Sequence, residues 1–549
     1  MIWRWRSAVL PVCGGLIGAV FNLIIGGPRL IDPREFGWLM KFDWRIHFLG
    51  WHLFRNEPWH WPPGRMDAYY HAPDGTALAF TDSIPLVALM LKPFSAMLPM
   101  PFQYIGLWLL LCFALQGVFG VLLTRIWTPN PLHQLLGAAL FVTIPGLLNR
   151  VGHPSLCAHF IVLWALWLYL RGKQEDHPSS AQHAALGLCA GLVHPYLAVM
   201  ALALVAARVL RDRDRRALAA FATVVVACVA GWWAAGLFTV SGAENFASEG
   251  LGFYSMNLLS PFTPSGWSAF LPPLPVATEG QVYEGFQYLG LGLLLLVALA
   301  VVVAMINARA LAWVSILPIV LVCVLFAIYA LSPRVTLADR VVLDWSSPQL
   351  ERWALFRATG RFFWPMAYLI VAVSIGMIAA RLRSGLGAAV LGAALLIQLA
   401  DLRVAHAERR ITSRSEGFYA WENMMPSPVW HDLLTFYKHI VIAPPRQCAS
   451  APIGFESPAY LAGLHGLTIN SAAVARFDEV KQRRYCARIA AEMLTGTVDD
   501  ETLYILDTAQ AAALKTAARK PIACGTIDAA YVCVSAQSYA PWRHLAALN

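Results

Sequence analysis

The chain has 549 residues, of which 58% are hydrophobic and 13% are charged, and its formal net charge is +9. Ordinary soluble domains carry about 25% charged residues, so this composition excludes a purely soluble protein and indicates a membrane protein. The arginines concentrate in short links between apolar segments, as expected of cytoplasmic loops. The positive charge therefore does not indicate nucleic-acid binding.

Long apolar segments recur over the first 400 residues. Only a helix can carry such a segment across the lipid, because every backbone polar group must be paired there. The pattern predicts an α-helical polytopic membrane protein with about 11 transmembrane segments. The predicted segments are 7–26, 103–126, 132–149, 155–171, 183–193 with 196–208, 217–240, 286–306, 311–331, 361–380 and 386–400.

Arginine-rich links predict the orientation of these segments. Arg211–Arg216, Arg309, and Arg381 with Arg383 each lie in a short link, so we expect these three links to be cytoplasmic. The N-terminus is then cytoplasmic, and the chain after Asp401 lies outside.

The first half of the chain allows two arrangements. In the first, 27–102 is one long outer loop in which 84–98 forms a short apolar helix that lies in or dips into the membrane. The chain then turns at His194-Pro195, which keeps Arg171 and Lys173 cytoplasmic. In the second arrangement, 84–98 is a full span and 183–208 is one helix, which places Arg171 and Lys173 outside.

The composition changes after Arg403, where charges return and apolar runs shorten. Short apolar runs that alternate with helical patterns predict a small α/β domain. We therefore divide the chain into a transmembrane domain, 1–401, which includes the outer loop 27–102, and a soluble extracytoplasmic α/β domain, 402–549. The predicted strands are 440–442, 467–469, 503–506 and 530–534, and the predicted helices are 474–494 and 508–518.

Four of the ten cysteines, Cys448, Cys486, Cys524 and Cys533, fall in this predicted outer domain. An even number of cysteines in an oxidising compartment favours disulfide bonds. The sequence predicts two disulfides and leaves all three connectivities open.

The outer loop holds a dense group of polar and aromatic residues. A helix through 43–55 places Asp43 and His47 on one face, and Arg55 ends it. These residues are candidates for catalysis or substrate binding, although an amphipathic helix at the membrane surface would have a similar composition. Asp82 precedes the segment 84–98 and is open to three interpretations: a second acid, a metal ligand or a helix N-cap.

Further candidates lie near the ends of predicted spans. Arg357 and Arg361 are four residues apart, so a helix would place them on one face, where guanidinium groups suit phosphate oxygens. The alternative is that both reach the lipid headgroups. The remaining substrate-binding candidates, each of which could equally be a packed, hydrogen-bonded residue, are His153, His194, Tyr283 and Glu284.

One apolar helix, a long outer loop with an early acidic residue, further spans and an outer α/β domain together resemble the GT-C glycosyltransferases. Several segments also resemble a bacterial polytopic membrane family of unknown function. Those segments are 43–55, 81–86, 103–106, 284–290 and 356–362.

The GT-C resemblance implies transfer of a sugar from a polyprenyl-phosphate donor, at the bacterial inner membrane, to an extracytoplasmic glycan, lipid or protein. It implies that Asp43 is the catalytic base or a metal-assisting group. Asp82, from its position in the sequence, is the second catalytic candidate. Asp43 stands beside Trp44 rather than a second carboxylate, so no cofactor is certain and a divalent metal stays open. The alternatives are a transporter or flippase of lipid-linked glycans and a noncatalytic envelope assembly protein.

Overall fold

The computed structural model of the protein describes residues 2–67, 69–70, 75–171, 180–240, 250–306 and 313–535. The predictions that concern Lys173, Arg309 and Asn549 lie outside these residues. Contacts between residues group the chain into two units. The first unit comprises Met1–Asp32, Ile105–Gly231 and Phe246–Phe418, and the second comprises Pro33–Tyr104, Trp232–Asn245 and Tyr419–Asn549.

The described chain is mostly helical. In chain order the α-helices are α1 (Ile2–Gly26), α2 (Trp44–Phe54), α3 (Pro85–Leu91), α4 (Ile105–Arg125), α5 (Pro131–Val142), α6 (Pro145–Asn149), α7 (Phe160–Leu170), α8 (Ser180–Val193), α9 (Pro195–Asp212), α10 (Arg215–Ala234), α11 (Gly280–Tyr283), α12 (Leu291–Ile306), α13 (Trp313–Leu331), α14 (Pro348–Trp353), α15 (Trp364–Arg381), α16 (Ser384–Asp401), α17 (Arg403–Thr412), α18 (Glu416–Tyr419), α19 (Val429–Leu433), α20 (Glu456–His465), α21 (Glu479–Thr495) and α22 (Thr508–Ala517). The strands are β1 (Arg65–Met66), β2 (Thr76–Ala77), β3 (Arg334–Leu337), β4 (Arg340–Asp344), β5 (His439–Ile442), β6 (Thr468–Ile469), β7 (Thr502–Leu506), β8 (Ile522–Ile527) and β9 (Ala530–Ser535).

Five helices among the described residues are long and apolar enough to cross a membrane, so the protein has the character of a membrane protein. A bent helix pair would make a sixth span, and several other apolar helices are shorter, so the predicted count of about 11 segments stays a prediction. The five are Ala8–Gly26, Ile105–Arg125, Arg215–Ala234, Thr359–Arg381 and Ser384–Asp401.

Proline positions interrupt two of the predicted spans. The segment predicted as one span at 132–149 is bent by 40° after Val142, because Pro145 biases Ile144 toward the extended conformation that it adopts. The segment predicted as a span thus contains a bend, and whether it crosses the membrane stays a prediction. At His194-Pro195, where a turn is predicted, the helix breaks between α8 and α9, and Pro195 is the first residue of α9.

The first unit contains a very close helix pair, α1 and α4, which meet at glycines. A Cβ atom added to Gly117 would lie 2.0 Å from the carbonyl oxygen of Gly14, and one added to Gly18 would lie 1.8 Å from that of Phe113. Small residues allow membrane helices to approach until their backbones touch. Glycine at these positions therefore fixes the spacing between α1 and α4.

A fully buried carboxylate, Asp401, ends α16. It accepts hydrogen bonds from the Tyr288 hydroxyl at 2.7 Å and the Leu291 amide at 2.9 Å, and from the Ser268 hydroxyl. A buried charge requires such partners. Asp401 thus joins the end of α16 to the beginning of α12.

The second unit combines residues 33–104 with the C-terminal part of the chain. A five-stranded sheet in the order β6-β5-β7-β9-β8 is parallel between β6, β5 and β7 and antiparallel on the β9 side. Buried residues of α21 and α22, including Ile489, Met493 and Leu514, pack against this sheet. The amide of Ile469 in β6 donates to the Tyr69 carbonyl at 2.9 Å, which joins the loop to the sheet.

Four of the five sheet strands coincide with predicted strands, whereas β8 and α20 were not predicted. Helix α21 begins at Glu479 rather than at the predicted Val474, because Asp478 caps it by accepting hydrogen bonds from the amides of Val480 and Lys481.

Two disulfide bonds lie in the second unit. They join Cys448 with Cys486 and Cys524 with Cys533. The second pair links β8 and β9 at directly opposite positions. This is one of the three connectivities that the sequence allows.

Candidate functional site

The candidate site of the first unit is a buried ion-pair cluster of Arg150, Glu284 and Arg361, called here the Glu284 cluster. The Glu284 carboxylate accepts a hydrogen bond from Arg361 Nε at 2.7 Å and another from Arg150 Nη1. The arginine side chains are only 6% and 9% exposed, and that of Glu284 is 21% exposed. Two guanidinium groups share one carboxylate, so the cluster carries a net positive charge.

Glu284 is ionised in this setting. Burial alone would raise the pKa of its carboxyl group, but the charges of Arg150 and Arg361 outweigh burial and hold the pKa well below its usual range. A carboxylate with such a low pKa is a poor general base and cannot serve as a general acid at neutral pH. Its role in the cluster is to orient the two arginines.

Local backbone structure fixes each arginine. Arg150 follows α6, and its Nη2 donates to the carbonyl oxygen of Tyr283 at 2.5 Å. Arg361 lies in a 3-10 helix, Thr359–Phe363, directly after Gly360. A Cβ atom at Gly360 would lie 2.7 Å from the Cα atom of Gly285, so a larger residue at position 360 would force apart the segments that carry Arg361 and Glu284.

Two predicted histidines lie near the cluster. The rings of His153 and His194 are 6.0 Å apart, and the His153 amide donates to the Arg150 carbonyl at 2.8 Å. His194 is the N-cap of α9, where its Nδ1 accepts from the Tyr196 amide at 3.2 Å. The Tyr196 ring in turn lies 4.6 Å from the Arg361 guanidinium. The structure thus brings together His153, His194, Glu284 and Arg361, four residues that the sequence marked separately.

Arg150 and Arg409 are parts of this region that sequence reasoning missed. Burial lowers the pKa of Arg409 to about 10, and the nearby charge of Arg150 lowers it too. The Arg409 guanidinium lies 4.8 Å from the Trp267 ring. The strongly amphipathic sequence of α17, with Arg403, Arg409 and Arg410, could have indicated Arg409. It was not used because α17 lies at the predicted domain boundary.

Arg357 and Tyr283 have a different environment from the buried pair. Arg357 is exposed, with its guanidinium 5.6 Å from the Tyr254 ring, and it does not lie in a helix. The expectation that Arg357 and Arg361 share a helix face was therefore wrong, because an irregular segment separates α14 from the 3-10 helix. The Tyr283 side chain is exposed, and only its carbonyl contacts Arg150.

In the second unit, Asp43 lies exposed at the beginning of α2. Its backbone carbonyl accepts a hydrogen bond from His47 Nδ1 at 3.0 Å. His47 is fully buried, and this burial lowers its pKa to about 4, so the ring is neutral at pH 7. The His47 ring thus binds the backbone at the first turn of α2, while the Asp43 side chain is exposed.

The two remaining candidates are Arg55 and Asp82. Arg55 is buried and donates to three backbone carbonyls, those of Ser95, Leu98 and Pro99, at 2.6 to 3.1 Å. This placement favours a structural role for Arg55. The N-cap of α3 is Ile84, without a side-chain cap, so the interpretation of Asp82 as the cap was wrong.

Comparisons with known proteins identify a family. A family model described as "Domain of unknown function (DUF6311)" matches residues 15–403, and one described as "DUF6311 C-terminal domain" matches residues 429–535. A search of curated proteins finds no match to the chain.

Two solved structures of the Archaeoglobus fulgidus oligosaccharyltransferase are similar over most of the chain. The one tethered with an acceptor peptide containing the NVT sequon has 12% identity and a TM-score of 0.43, covering 97% of this chain and 74% of that one. The complex with Zn and sulfate has 12% identity and a TM-score of 0.38, covering 96% and 73%. TM-scores of this size do not show a shared fold.

Proposed function

The chain belongs to the DUF6311 family, and we propose that it is a membrane glycosyltransferase of the GT-C type. In this proposal it transfers a sugar from a polyprenyl-phosphate donor to an extracytoplasmic glycan, lipid or protein. The protein resides in the bacterial inner membrane with its N-terminus in the cytoplasm and residues 402–549 in the periplasm.

The observation that supports this proposal is the buried pair of arginines around Glu284. Arg150 and Arg361 together exceed the charge of one carboxylate, and Glu284 remains 21% exposed. A buried excess of positive charge favours an anionic ligand, and the planar guanidinium suits phosphate oxygens. Arg361 lies within the candidate span Thr359–Arg381, near its first residue. In this proposal the phosphate of the lipid-linked donor binds at that end of the span.

The chemistry of such a transfer needs two kinds of group. The acceptor hydroxyl attacks the anomeric carbon, the bond from that carbon to the phosphate oxygen breaks, and polyprenyl phosphate leaves with the electron pair. Fixed arginines would stabilise the negative charge that develops on the leaving phosphate. The hydroxyl proton must pass to a base, and the exposed carboxylate of Asp43 is our candidate.

A metal is not required by this scheme. His153 and His194 are the residues of the first unit that we would assign to one, because imidazole nitrogens suit zinc and related cations. Asp82 stays a second candidate acid, and Arg357 and Tyr283 stay candidates for substrate contacts at the exposed surface.

The test uses the full-length protein in liposomes with a panel of labelled polyprenyl-phosphate hexoses and pentoses. We expect binding of one donor and release of polyprenyl phosphate when the acceptor is supplied. Arg361→Lys keeps the charge but loses the planar fork, so donor binding should weaken by about tenfold or more. The control is Arg334→Lys, at an exposed arginine of β3.

A flipping assay on the same liposomes distinguishes the alternatives. Movement of a labelled donor across the bilayer without bond cleavage would identify a flippase. If the protein neither binds the donor nor moves it across the bilayer, the noncatalytic assembly role remains. Either result would contradict the proposed transfer.

A further inference from the structure

Two histidines of the second unit face each other across a short gap. His431 in α19 and His465 at the end of α20 have ring centroids 5.1 Å apart, and His431 Nδ1 lies 2.9 Å from His465 Nε2. Both side chains are at least partly exposed. Neither histidine is a candidate residue of the proposed transfer.

Only one proton fits between these two nitrogens. One ring must therefore present a lone pair to the other, and the proton of the second ring can move to its far nitrogen. A cation that replaced the shared proton would then face two lone pairs. Neutral imidazole is the form in which histidine binds metals.

The separation of the two nitrogens matches a particular coordination geometry. With metal–nitrogen bonds of about 2.0 Å, two nitrogens at a right angle are about 2.8 Å apart, and at a tetrahedral angle about 3.3 Å. The observed 2.9 Å is the length of the hydrogen bond between the two rings, and it also lies near the value for the right angle of a tetragonal site. Cu²⁺ prefers that geometry and also binds nitrogen sites more strongly than the other first-row divalent ions.

Buried neighbours anchor the backbone beside both histidines. Trp430, next to His431, is fully buried and donates from Nε1 to Asp528 at 2.9 Å. Near His465, Ala462 is fully buried, and the Gly463 carbonyl accepts from Asn56 Nδ2 at 2.6 Å. The backbone positions of the two histidines are therefore fixed, and the rings already face each other. The C-terminal end of α20, where His465 lies, also favours positive charge.

We propose that His431 Nδ1 and His465 Nε2 form a two-histidine site for a divalent transition ion, preferentially Cu²⁺. Among the described residues no third histidine, cysteine or carboxylate joins them, so water or an external ligand completes the coordination. The proposal does not depend on the glycosyltransferase function.

The test measures Cu²⁺ binding to the full-length protein, purified with a tag that contains no histidine. Electron paramagnetic resonance should show a tetragonal Cu²⁺ with two imidazole nitrogens. His431→Ala and His465→Ala should each remove one nitrogen. Loss of an outer-shell partner alone costs roughly 10–100-fold in metal affinity, so loss of a ligand should weaken binding by at least about tenfold.

The matched control is His439→Ala in the same unit, where the ring bonds to the Thr468 hydroxyl at 2.8 Å. This variant should bind Cu²⁺ like the wild type. Circular dichroism establishes that each variant is folded. A wild-type spectrum with fewer than two imidazole nitrogens, or equal binding by the His431 variant and the control, would overturn the proposal.

Discussion

At the scale of single residues, Glu284 is the group on which the cluster most depends, because its carboxylate separates two buried cations. Glu284→Gln keeps the shape of the side chain but leaves both arginines without a counter-charge. Removing one partner of a buried pair costs about 3 kcal/mol or more. We therefore expect a clear fall in the thermal unfolding midpoint of the detergent-solubilised protein.

The matched control is Glu416→Gln, which breaks a pair with Arg29 in which the glutamate side chain is 86% exposed. Exposed pairs contribute little, so this variant should unfold like the wild type. Equal midpoints for the two variants would contradict a buried ion-pair cluster at Glu284.

The difference in stability between the wild type and Glu284→Gln should depend on pH. The pKa of Glu284 is lower in the folded than in the unfolded protein, so the unfolded state binds the proton first as the pH falls. The stabilising contribution is complete above the unfolded pKa of about 4.3 and is lost as the pH falls toward the folded pKa. The gap between wild type and Glu284→Gln should thus narrow below pH 4.

Asp43 tests the catalytic assignment. Asp43→Asn keeps the size of the side chain but cannot accept a proton as a carboxylate does, so turnover should fall by roughly 10²–10⁴-fold while donor binding persists. The measurement is sugar transfer and donor binding at equal protein levels. Wild-type turnover in this variant would remove Asp43 from the mechanism. Substitutions at exposed positions usually change stability by only about 0.5 kcal/mol, so a loss of turnover would not be due to unfolding.

At the scale of helices and strands, the close contact between α1 and α4 predicts the effect of a larger residue at Gly117. Gly117→Leu would place side-chain atoms where the backbone of Gly14 lies, and overpacking of this kind costs about 1–3 kcal/mol or more. We expect loss of monodisperse protein in size-exclusion chromatography. Gly392→Leu in α16, where an added Cβ meets nothing within 4 Å, is the control and should behave like the wild type.

The disulfides give a second prediction at this scale. Peptide mapping without reduction should find Cys448 linked to Cys486 and Cys524 linked to Cys533. Four free thiols in membrane-derived protein would contradict the oxidised state, and other pairs would contradict the connectivity. The first link closes 38 residues and the second 9, so loss of the first should destabilise the second unit more.

Much of the element pattern was predictable from residue spacing. Strands β5, β7 and β9 contain apolar runs between polar turns, and their positions agree with the predictions. Strand β8 was missed because Gly525 and Thr526 interrupt its apolar run. Helix α20 was missed because it contains Pro458 and Gly463, which lower helix propensity.

Several residues of the candidate site were predictable from the sequence, but Arg150 and the spatial arrangement of the site were not. Glu284, Arg361 and His153 are polar residues at the ends of apolar segments, and this position makes each of them a candidate functional residue. Their meeting depends on the close approach of Gly285 and Gly360, which are 75 positions apart and give no signal at short range. Arg409 was missed because its surroundings come from distant parts of the first unit.

At the scale of the whole molecule, orientation is the prediction that tests the periplasmic assignment. Reporter fusions within Arg211–Arg216 should report a cytoplasmic location, and fusions after Asn549 a periplasmic one. A cytoplasmic signal from the C-terminal fusion would overturn the outer location of residues 402–549, and with it the reason to expect disulfides.

The second unit draws on parts of the chain that are synthesised far apart in time. Residues 33–104 pair with residues after Tyr419, for example through Tyr69 and Ile469, so more than three hundred residues must be made between the two partners. At about 5–20 residues per second, that delay lasts roughly 15–60 s. During this interval the early segment lacks its sheet, and a ribosome that stalls before Tyr419 would leave it open to proteases.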